Sequence, residues 1–590
     1  MSRKERRTIL NIKTEYKYGG LIMKEKKWIQ KNPSLTTIEQ VIEENTGLSI
    51  NSLMNPKITP YLKGLKECVE VTRDCISKNM PITIVGDYDC DGITSSSILY
   101  LGLKELTGTE PEVIIPKRFS EGYGLNMAIV DRIEKGLMIT VDNGIAAVEQ
   151  IAKAKEKGLT VVVIDHHIIR DDGKLPQADA MLDPSAIEGS EYESYCGAGL
   201  AYRFIMELNP NTNIKSKLVA LAGIGTVADV MPLIGDNRQM VLESLNSVKN
   251  ADVTFGLYNL MQSVGIPINP TATDYGFKLG PLFNASGRLN DDGGKRVVDL
   301  LIKDCAIGTY QMLDMEPICR EEAEALCGIN EDRKQLVFDT MNEVYAELKD
   351  KEIKAPLVYY KEGINEGIVG IIAGRLAEEY HMPVLVLTNT HKEGVIKGSG
   401  RSVPEVHLKK LLNNVSDLFI GWGGHAGAAG LSLNKSNLDE LRKRLEELLK
   451  DVKLQAPDTV YYDLEIKECE IPEYAENLAK YEPFGEGCPK VRFLLKNFTA
   501  SPKGSSHYVV MGKQKNHLKI HGNNLSLMGF DLVEAYEEKG FPMNMDVIGE
   551  LSINYHNDKV DYQMEIIDFK VRKKETTQVF ENFKSMFSFC

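Results

Sequence analysis

The chain has 590 residues, enough for about three to five domains of ordinary size. Hydrophobic residues make up 43% and charged residues 26%, close to the globular average, which excludes a disordered or fibrous chain. The formal net charge is −14, so the protein does not coat polyanions indiscriminately. Any nucleic-acid site must therefore be a local concentration of basic residues or be assisted by metal ions.

The composition also predicts a cytoplasmic protein. The basic N-terminus, 1–7, lacks the apolar core of a secretory signal, and the most apolar long stretch, 218–234, is interrupted by Asp229 and by glycines. We therefore expect no membrane association. The ten cysteines form no CxxC pair, which indicates reduced thiols and neither a zinc site nor a disulfide framework.

In chain order, the first predicted unit is a helical segment over 1–80, and the second is a larger domain over 81–305. In the larger domain, short β-branched runs recur about 25 residues apart and alternate with amphipathic helical stretches. This spacing is typical of βαβ crossovers and predicts an α/β fold with a doubly wound parallel sheet. The β-branched runs are 82–85, 113–115, 137–141 and 161–164.

Three further units follow. The charged stretch 306–354 predicts a long connecting helix. Strand-like runs flank a helical pattern within 355–450, which predicts a second, smaller α/β domain. Short strands and turn residues dominate 455–575 and predict a small β-barrel or sandwich.

Acidic and histidine side chains follow three strands of the predicted parallel sheet. Because the carboxyl ends of parallel strands meet at one edge of a sheet, where ligands bind, we expect these side chains to lie close together. Asp229, inside a later apolar run, is a fourth candidate. The side chains at the strand ends are Asp87, Asp89, Asp91, Asp142, Asp165, His166 and His167.

Several carboxylates share one cleft only when protons or cations offset their repulsion. Carboxylates with one or two imidazoles suit Mg²⁺ or Mn²⁺, and two bridged ions would give the arrangement used to hydrolyse phosphate esters. One alternative is a calcium loop beginning at Asp87, but its twelfth position is Ile98 instead of Glu, and a strand precedes it. A second alternative is that each Asp only caps a turn or a helix.

Four segments, in order, resemble the motifs of the DHH phosphoesterase family: 87–92, the strand that ends in Asp142, 165–167 and 226–229. Further segments resemble the RecJ exonucleases of that family. The resemblance runs in order from about residue 28 to about residue 570. Within it, 364–365 reads Ile-Asn where the family usually carries Trp-His, and Phe283 also departs from the family pattern. The further segments are 121–126, 196–199, 280–288, 398–402, 423–430 and 483–487.

The resemblance implies a DHH catalytic domain and a metal-dependent exonuclease that degrades single-stranded DNA 5′→3′ to mononucleotides, in repair or recombination. It implies two Mn²⁺ or Mg²⁺ ions, with Asp142 bridging them. The implied metal ligands are Asp89, Asp91, Asp142, His166 and Asp229. The implied catalytic groups are Asp87, Asp165, His167, Asn284 and Arg288. The implied substrate contacts are Arg118, Tyr123, Ser399, Arg401, Ser402, Gly424 and His425.

For the C-terminal unit the resemblance implies a barrel of the oligonucleotide-binding (OB) type. The stretch 487–530 contains no acidic residue, and its lysines and arginines are interleaved with Phe493, Phe498 and Tyr508. Cations along a backbone with aromatic side chains for stacking are typical of a single-strand groove. The alternative is a solvated basic face over core aromatics. Single-stranded DNA is the expected partner of a monomer, with a helicase or single-strand-binding protein as candidate protein partners.

Two other functions stay open at this point. One is a DHH phosphodiesterase that acts on short oligoribonucleotides, cyclic dinucleotides or pyrophosphate, although such relatives are shorter and lack the barrel. The other is a catalytically inactive DNA-binding scaffold, although scaffolds of this kind have lost the metal-site residues that are all present here.

Overall fold

A computed structural model gives the structure of the chain. It describes residues 26–170, 172–305, 309–454, 458–504, 506–556 and 559–572. The first 25 residues of the predicted N-terminal segment, the start of the predicted connecting helix (306–308) and 573–575 lie outside the described residues.

The described part of the N-terminal segment departs from the prediction in one respect, because it contains a strand, β1 (Lys27–Gln30). This strand pairs in parallel with Thr459–Tyr462, near the start of the barrel. Four residues are too few to show a strand period, and the partner is distant in sequence, so helical propensity was misleading here. Three helices follow: α1 (Ile38–Thr46), α2 (Ile50–Met54) and α3 (Leu65–Ser77).

The next domain is built on a five-stranded, fully parallel sheet in the order β3-β2-β4-β5-β6. The chain leaves β2 in one direction to form β3 and returns on the other side of β2 to form β4. The carboxyl ends of β2 and β4 therefore lie at a topological switch point, where open α/β sheets form their ligand crevice. The strands are β2 (Ile82–Val85), β3 (Glu112–Ile114), β4 (Leu137–Val141), β5 (Thr160–Ile164) and β6 (Ala180–Leu182).

Helices cover both faces of this sheet, and all five residues of β4 are buried between them. A π-helical turn, Tyr275–Leu279, joins two of the helices near the crevice. The helices are α4 (Cys90–Thr107), α5 (Met127–Arg132), α6 (Val148–Glu156), α7 (Gly197–Leu208), α8 (Lys215–Ala228), α9 (Gly235–Lys249), α10 (Phe255–Val264), α11 (Ala272–Asp274), α12 (Gly280–Leu289) and α13 (Gly293–Leu301).

The connecting helix α14 (Tyr310–Leu348) joins two hydrophobic cores. Its first half packs Ala323 and Leu326 into the core of the parallel-sheet domain. Its second half packs Met341 and Val344 into the core of the smaller domain. The helix thereby sets the separation of the two domains across the crevice.

The smaller domain has a mixed sheet in the order β10-β11-β9-β8-β7, in which only β7 and β8 are parallel. Its strands are β7 (Leu357–Tyr360), β8 (Val384–Asn389), β9 (Val395–Arg401), β10 (Phe419–Gly424) and β11 (Ala428–Asn434). Its helices are α15 (Val369–Tyr380), α16 (Leu408–Asn413) and α17 (Leu438–Leu449).

The C-terminal domain follows β12 (Thr459–Tyr462) and forms a seven-stranded sheet in the order β13-β14-β18-β19-β17-β16-β15. Helices α1 and α2 pack into its core, so the N-terminal segment is shared between the first and last domains. None of the described helices is long and apolar enough to cross a membrane. The strands are β13 (Leu464–Ile466), β14 (Arg492–Thr499), β15 (Tyr508–Met511), β16 (His517–His521), β17 (Ser526–Gly529), β18 (Asn544–His556) and β19 (Lys559–Val571), with helices α18 (Ile471–Ala479) and α19 (Val533–Glu538).

Candidate metal centre and nucleic-acid cleft

The side chains predicted from the strand ends converge at the carboxyl edge of the parallel sheet. Strands β2 and β4 are in register with Val85 opposite Thr140, and β4 and β5 with Val141 opposite Ile164. The residues that follow these three strands therefore leave the sheet at one level. Asp229 joins them as the residue that ends α8.

Asp142 is the most constrained member of this cluster. Its backbone is left-handed, with φ of 58°, which is uncommon for a residue other than glycine, asparagine or a few polar residues. The side chain is fully buried, its Oδ1 lies 3.1 Å from His166 Nε2, and its Oδ2 has no hydrogen-bond partner. Strained backbone and an unsatisfied buried oxygen are costly, and both are typical of functional sites.

Asp91 is held by the N-terminus of α7. Its two carboxylate oxygens accept hydrogen bonds from Gly197 N at 2.6 Å and Ala198 N at 2.8 Å. A side chain at Gly197 would place a Cβ 2.8 Å from that of Asp142, so only glycine allows this approach. The 196–199 segment thus serves to seat the acidic cluster.

The pKa values of the two histidines in the cluster are shifted in opposite directions. Burial lowers the pKa of His166, against the charge of Asp91, which favours the neutral ring. Its Nε2 lies 3.5 Å from Asp91 and 3.7 Å from Asp229. Burial alone would lower the pKa of His167, but the hydrogen bond and charge of Asp165 raise it to about 9. His167 Nδ1 lies 2.8 Å from Asp165, and its Nε2 lies 3.1 Å from the Tyr123 hydroxyl. The neutral ring suits a metal ligand, and the protonated ring suits a proton donor.

Three groups of ligand atoms in this cluster are compact enough to hold a metal ion. Asp142 belongs to two of the groups, and so does His166, which is the arrangement expected for ions that share ligands. All five predicted ligands are present, and the groups add Asp87 and His167. The groups are Asp142–His166–His167, Asp91–His166–Asp229 and Asp87–Asp89–Asp142.

The electrostatics of the cluster favour bound cations. Burial and then neighbouring carboxylates raise the pKa of Asp87 and of Asp142 well above the usual range, and the same causes raise the pKa of Asp229 to about 8. Both oxygens of Asp87, like one of Asp142, are buried without a partner. Oxygen-rich, unsatisfied and mutually repelling ligands fit Mg²⁺ or Mn²⁺.

Asn284 and Arg288, predicted as catalytic contacts, lie on α12 beside the cluster. Asn284 Oδ1 accepts a hydrogen bond from Cys90 N at 2.9 Å and so braces the turn that carries Asp89 and Asp91. Arg288 Nη1 donates to Gly367 O, in the smaller domain, at 3.2 Å. Burial, followed by the charges of Arg118 and Arg333, lowers the pKa of Arg288 to about 10.

The predicted substrate contacts separate into two places. Arg401 Nη1 donates to Ser399 Oγ at 2.9 Å, and its guanidinium, like those of Arg118 and Arg333, adds positive charge near Arg288. Gly424 and His425 instead line a cleft of about 1900 Å³ between the two α/β domains, opposite Asp89, Tyr123, Asp165 and His167.

Ser402, another predicted substrate contact, uses its hydroxyl in a hydrogen bond within the protein. Its hydroxyl donates to Val406 O at 2.7 Å, which closes the loop after β9. Arg118 lies with its guanidinium carbon 5.0 Å from the centre of the Tyr88 ring. Tyr88 packs edge-on against Tyr123, and this contact joins the arginine side of the site to the cluster.

Sequence reasoning missed Arg333 of α14, whose Nε is buried without a partner. Its neighbours Glu331, Asp332 and Lys334 form an ordinary charged helical pattern, so nothing local distinguishes it. Lys397 and Trp422 on the cleft wall were also missed. Lys397 directly precedes the glycine-rich segment 398–402, and this position could have indicated it.

The barrel pairs several of the cations that looked unpaired in 487–530. Lys496 binds Glu465 at 2.7 Å, and Lys519 binds Asp561 at 2.6 Å. Phe493 and Phe498 are fully buried in the core. Tyr508 stacks on Phe541 with ring centres 5.2 Å apart. For these aromatics, the alternative of a core role is the one that the structure supports.

Comparison with known proteins agrees with this architecture. Three family models match in order: the DHH family N-terminal domain over 81–226, the DHHA1 domain over 354–451 and the RecJ OB domain over 462–568. The fold and the acidic cluster thus define a protein of the DHH class.

Individual proteins similar to this chain show which family within the DHH class it belongs to. The single-stranded-DNA-specific exonuclease RecJ of Dickeya dadantii is 32% identical, over 73% of this chain and 78% of the relative. The crystal structure of RecJ with Mn²⁺ from Thermus thermophilus superposes with a TM-score of 0.75 at 24% identity, covering 93% of this chain and 79% of that one. A crystal structure of exonuclease RecJ bound to manganese is 28% identical, with a TM-score of 0.57, over 68% and 97% of the two chains. The chain belongs to the RecJ family.

Proposed function

We propose that this chain is a metal-dependent exonuclease that hydrolyses single-stranded DNA 5′→3′ to mononucleotides, in DNA repair or recombination. The observation that carries the proposal is the cluster of carboxylates around Asp142 and His166, with buried oxygens that lack partners, at the edge of a cleft. The likeness to relatives named as single-stranded-DNA-specific exonucleases supports the substrate. We further propose domains over 81–305, 355–450 and 455–575.

Two divalent cations would be held by the cluster. The ligands would be Asp89, Asp91, Asp142, His166 and Asp229, with Asp142 shared, and Asp87 is placed to contribute as well. When bound, the cations polarise the scissile phosphate and lower the pKa of an attacking water. The manganese in a related exonuclease structure supports this choice of ion.

The chain's own groups then orient the phosphate and move protons. His167 holds a proton through its 2.8 Å contact with Asp165 and, with a pKa of about 9, is charged at neutral pH. A charged imidazole beside the cluster can donate a proton to the leaving 3′-oxygen. Asn284 keeps the turn of Asp89 and Asp91 in place through Cys90 N.

Arginines would bind the phosphates of the strand. Arg118, Arg288 and Arg401 lie close enough for their charges to affect one another. Among the described residues they form no ion pair with a carboxylate, and Arg288 and Arg401 use only Nη1 in their contacts with Gly367 O, Ser399 Oγ and Gly400 O. Their charges are therefore not neutralised, and guanidinium groups favour bidentate contacts with phosphate. Recognition of a terminal 5′ phosphate by this group would set the polarity of degradation.

The proposed setting is the cytoplasm, where the chain would act as a monomer beside a helicase or a single-strand-binding protein. The nine described cysteines are free thiols, which agrees with a reducing compartment. Size-exclusion chromatography with light scattering tests the oligomeric state.

The first experiment incubates the purified protein with single-stranded and duplex oligonucleotides labelled at either end. One series contains Mn²⁺ and the other EDTA. We expect metal-dependent release of the 5′ label as a mononucleotide, with duplex DNA spared. Tight single-strand binding without degradation would favour an inactive scaffold, and degradation of RNA dinucleotides alone would favour an oligoribonucleotide phosphodiesterase.

Polarity is tested separately with Arg401→Ala. Because this variant removes one phosphate-binding group without touching the cluster, we expect a higher KM for 5′-phosphorylated strands and a smaller difference from 5′-hydroxyl strands. An unchanged preference for the 5′ phosphate would remove Arg401 from the terminal site.

A further inference from the structure

The segment Pro483–Gly487 contacts the loop that follows Asp229. This loop, 230–234, leads from the metal cluster to α9. Leu233 N donates a hydrogen bond to Glu486 O at 2.7 Å. A segment at the start of the barrel therefore lies directly against the chain that carries a cluster residue.

Two glycines permit this close approach. A Cβ at Gly485 would lie 2.7 Å from Leu233 Cδ1, and Leu233 is itself buried. Gly487 is left-handed, with φ of 67°, and a Cβ there would lie 2.9 Å from that of Pro232. A methyl group at either position would therefore crowd the loop, at the buried Leu233 side chain for Gly485 and at the Pro232 ring for Gly487.

Arg238, in the first turn of α9, donates hydrogen bonds to the start of the same segment and to the two residues before it. Its buried guanidinium donates to Pro483 O at 2.8 Å, Tyr481 O at 2.7 Å and Glu482 O at 3.1 Å. It also donates through Nε to Leu53 O at 2.8 Å, in α2. A buried arginine held by carbonyl oxygens requires its partners to remain in place, because an unpaired buried cation is very costly.

The position of Asp229 depends on this backbone more than the positions of Asp91 and Asp142 do. Asp91 accepts two backbone hydrogen bonds, and Asp142 contacts His166, whereas among the described residues the Asp229 carboxylate accepts no hydrogen bond. Its nearest basic partner is His166 Nε2, at 3.7 Å. The left-handed Val230, with φ of 56°, follows Asp229 at once, so Asp229 lies directly at the start of the loop.

We infer that the segment 483–487 and Arg238 position Asp229, which makes the first loop of the barrel a structural part of the metal centre. This inference rests on the proposed function, because it takes Asp229 to be a metal ligand. Arg238 and Gly485 are positioning residues, since neither touches the cluster. Groups that orient metal ligands commonly change metal affinity by about 10–100-fold when altered.

The test is Mn²⁺ binding by the full-length protein, followed by electron paramagnetic resonance of the free ion. In Gly485→Ala, we expect one Mn²⁺ site to weaken by at least about tenfold, because the new methyl group displaces Leu233 and with it the Asp229 loop. In nuclease assays the Mn²⁺ concentration for half-maximal rate should rise, while the rate at saturating Mn²⁺ approaches that of the unmodified protein.

The matched control is Gly522→Ala, which crowds a part of the barrel that does not contact the Asp229 loop. A Cβ at Gly522 would lie 2.6 Å from Phe498 Cε2. We expect its Mn²⁺ isotherm to equal that of the unmodified protein. Arg238→Lys provides a second variant with the same expected weakening if Gly485→Ala does not fold.

The result that overturns the inference is an unchanged Mn²⁺ isotherm in Gly485→Ala, or equal weakening in Gly522→Ala. Both of these leave the proposed function intact as long as the unmodified protein degrades single-stranded DNA with Mn²⁺. Failure of the unmodified protein to bind Mn²⁺ would instead overturn the proposed function and the inference together.

Discussion

The acidic cluster around Asp142 and the lysine-rich stretch 487–530 of the barrel each concentrate one sign of charge. In the cluster, carboxylates from three neighbouring strands meet with few partners, and several of their oxygens stay unsatisfied. In the barrel, acids from outside this stretch, such as Glu465 and Asp561, pair with some of the lysines. Dense like charge therefore indicates a binding site only when the fold brings no opposite charge to it.

The aromatic residues of the barrel also differ in a way that their sequence spacing does not show, because some are buried and others are exposed. Phe498 is fully buried, whereas Phe530, at the end of the same stretch, is half exposed and packs edge-on against His517. Spacing along a strand does not separate the two roles, because burial depends on which face of the sheet is covered.

The largest expected effect is at the cluster. In His166→Ala, loss of the ring shared by two ligand groups should reduce Mn²⁺-dependent exonuclease activity by at least about three orders of magnitude. Single-strand binding measured by fluorescence anisotropy should persist, because the barrel is untouched. The control is His391→Ala, at an exposed loop. Substantial activity in purified His166→Ala would show that the cluster is not the catalytic centre.

The next effect separates the core aromatics from the exposed one. Phe498→Ala should lower the free energy of unfolding by about 3–5 kcal/mol, because it leaves a cavity in the barrel core. Phe530→Ala should leave stability nearly unchanged and weaken single-strand binding by about 1 kcal/mol, or about fivefold, if its ring stacks on a base. Denaturant unfolding and anisotropy titrations measure the two quantities.

The distinction fails if Phe498→Ala is as stable as the unmodified protein. It also fails if Phe530→Ala binds single-stranded DNA with unchanged affinity.

A smaller effect compares free with paired lysines. Among the described residues, Lys503 and Lys515 have no ion pair and are exposed. The double variant Lys503→Ala/Lys515→Ala should reduce the salt dependence of single-strand binding by about 1.4 in log–log slope, since each phosphate that a lysine neutralises adds about 0.7. The matched variant Lys496→Ala/Lys519→Ala should change it less, since both lysines already bind carboxylates. Equal slopes for the two variants would mean that ion pairing does not decide which lysines bind DNA.

The smallest effect is at Lys513, which pairs with Glu331 of the connecting helix but is 85% exposed. Lys513→Ala should lower the free energy of unfolding by less than about 1 kcal/mol, since water screens an exposed pair. A double-variant cycle with Glu331→Gln, measured by thermal unfolding, isolates the coupling. A coupling well above about 1 kcal/mol would show that this pair does more than an ordinary surface contact.

Much of the candidate site could be predicted because its information is local. Asp142 and Asp165 each follow a β-branched strand directly, and parallel strands place their carboxyl ends at one edge. Asn284 shows the limit of this reasoning: its place beside the cluster was predicted, but its contact with Cys90 N depends on how α12 packs on α4. Arg333 was missed because a buried arginine on a long helix has the same local sequence as an exposed one.

By itself the sequence determined the order of the domains, the parallel sheet and the positions of the acids, since residue periodicity and strand-end placement act over a few residues. Only the tertiary structure decided that Lys27–Gln30 is a strand, that some of the barrel lysines are paired and that Pro483–Gly487 lies against the Asp229 loop. Each of these contacts joins residues far apart in the chain, and their free energy comes from packing and pairing that no local pattern specifies.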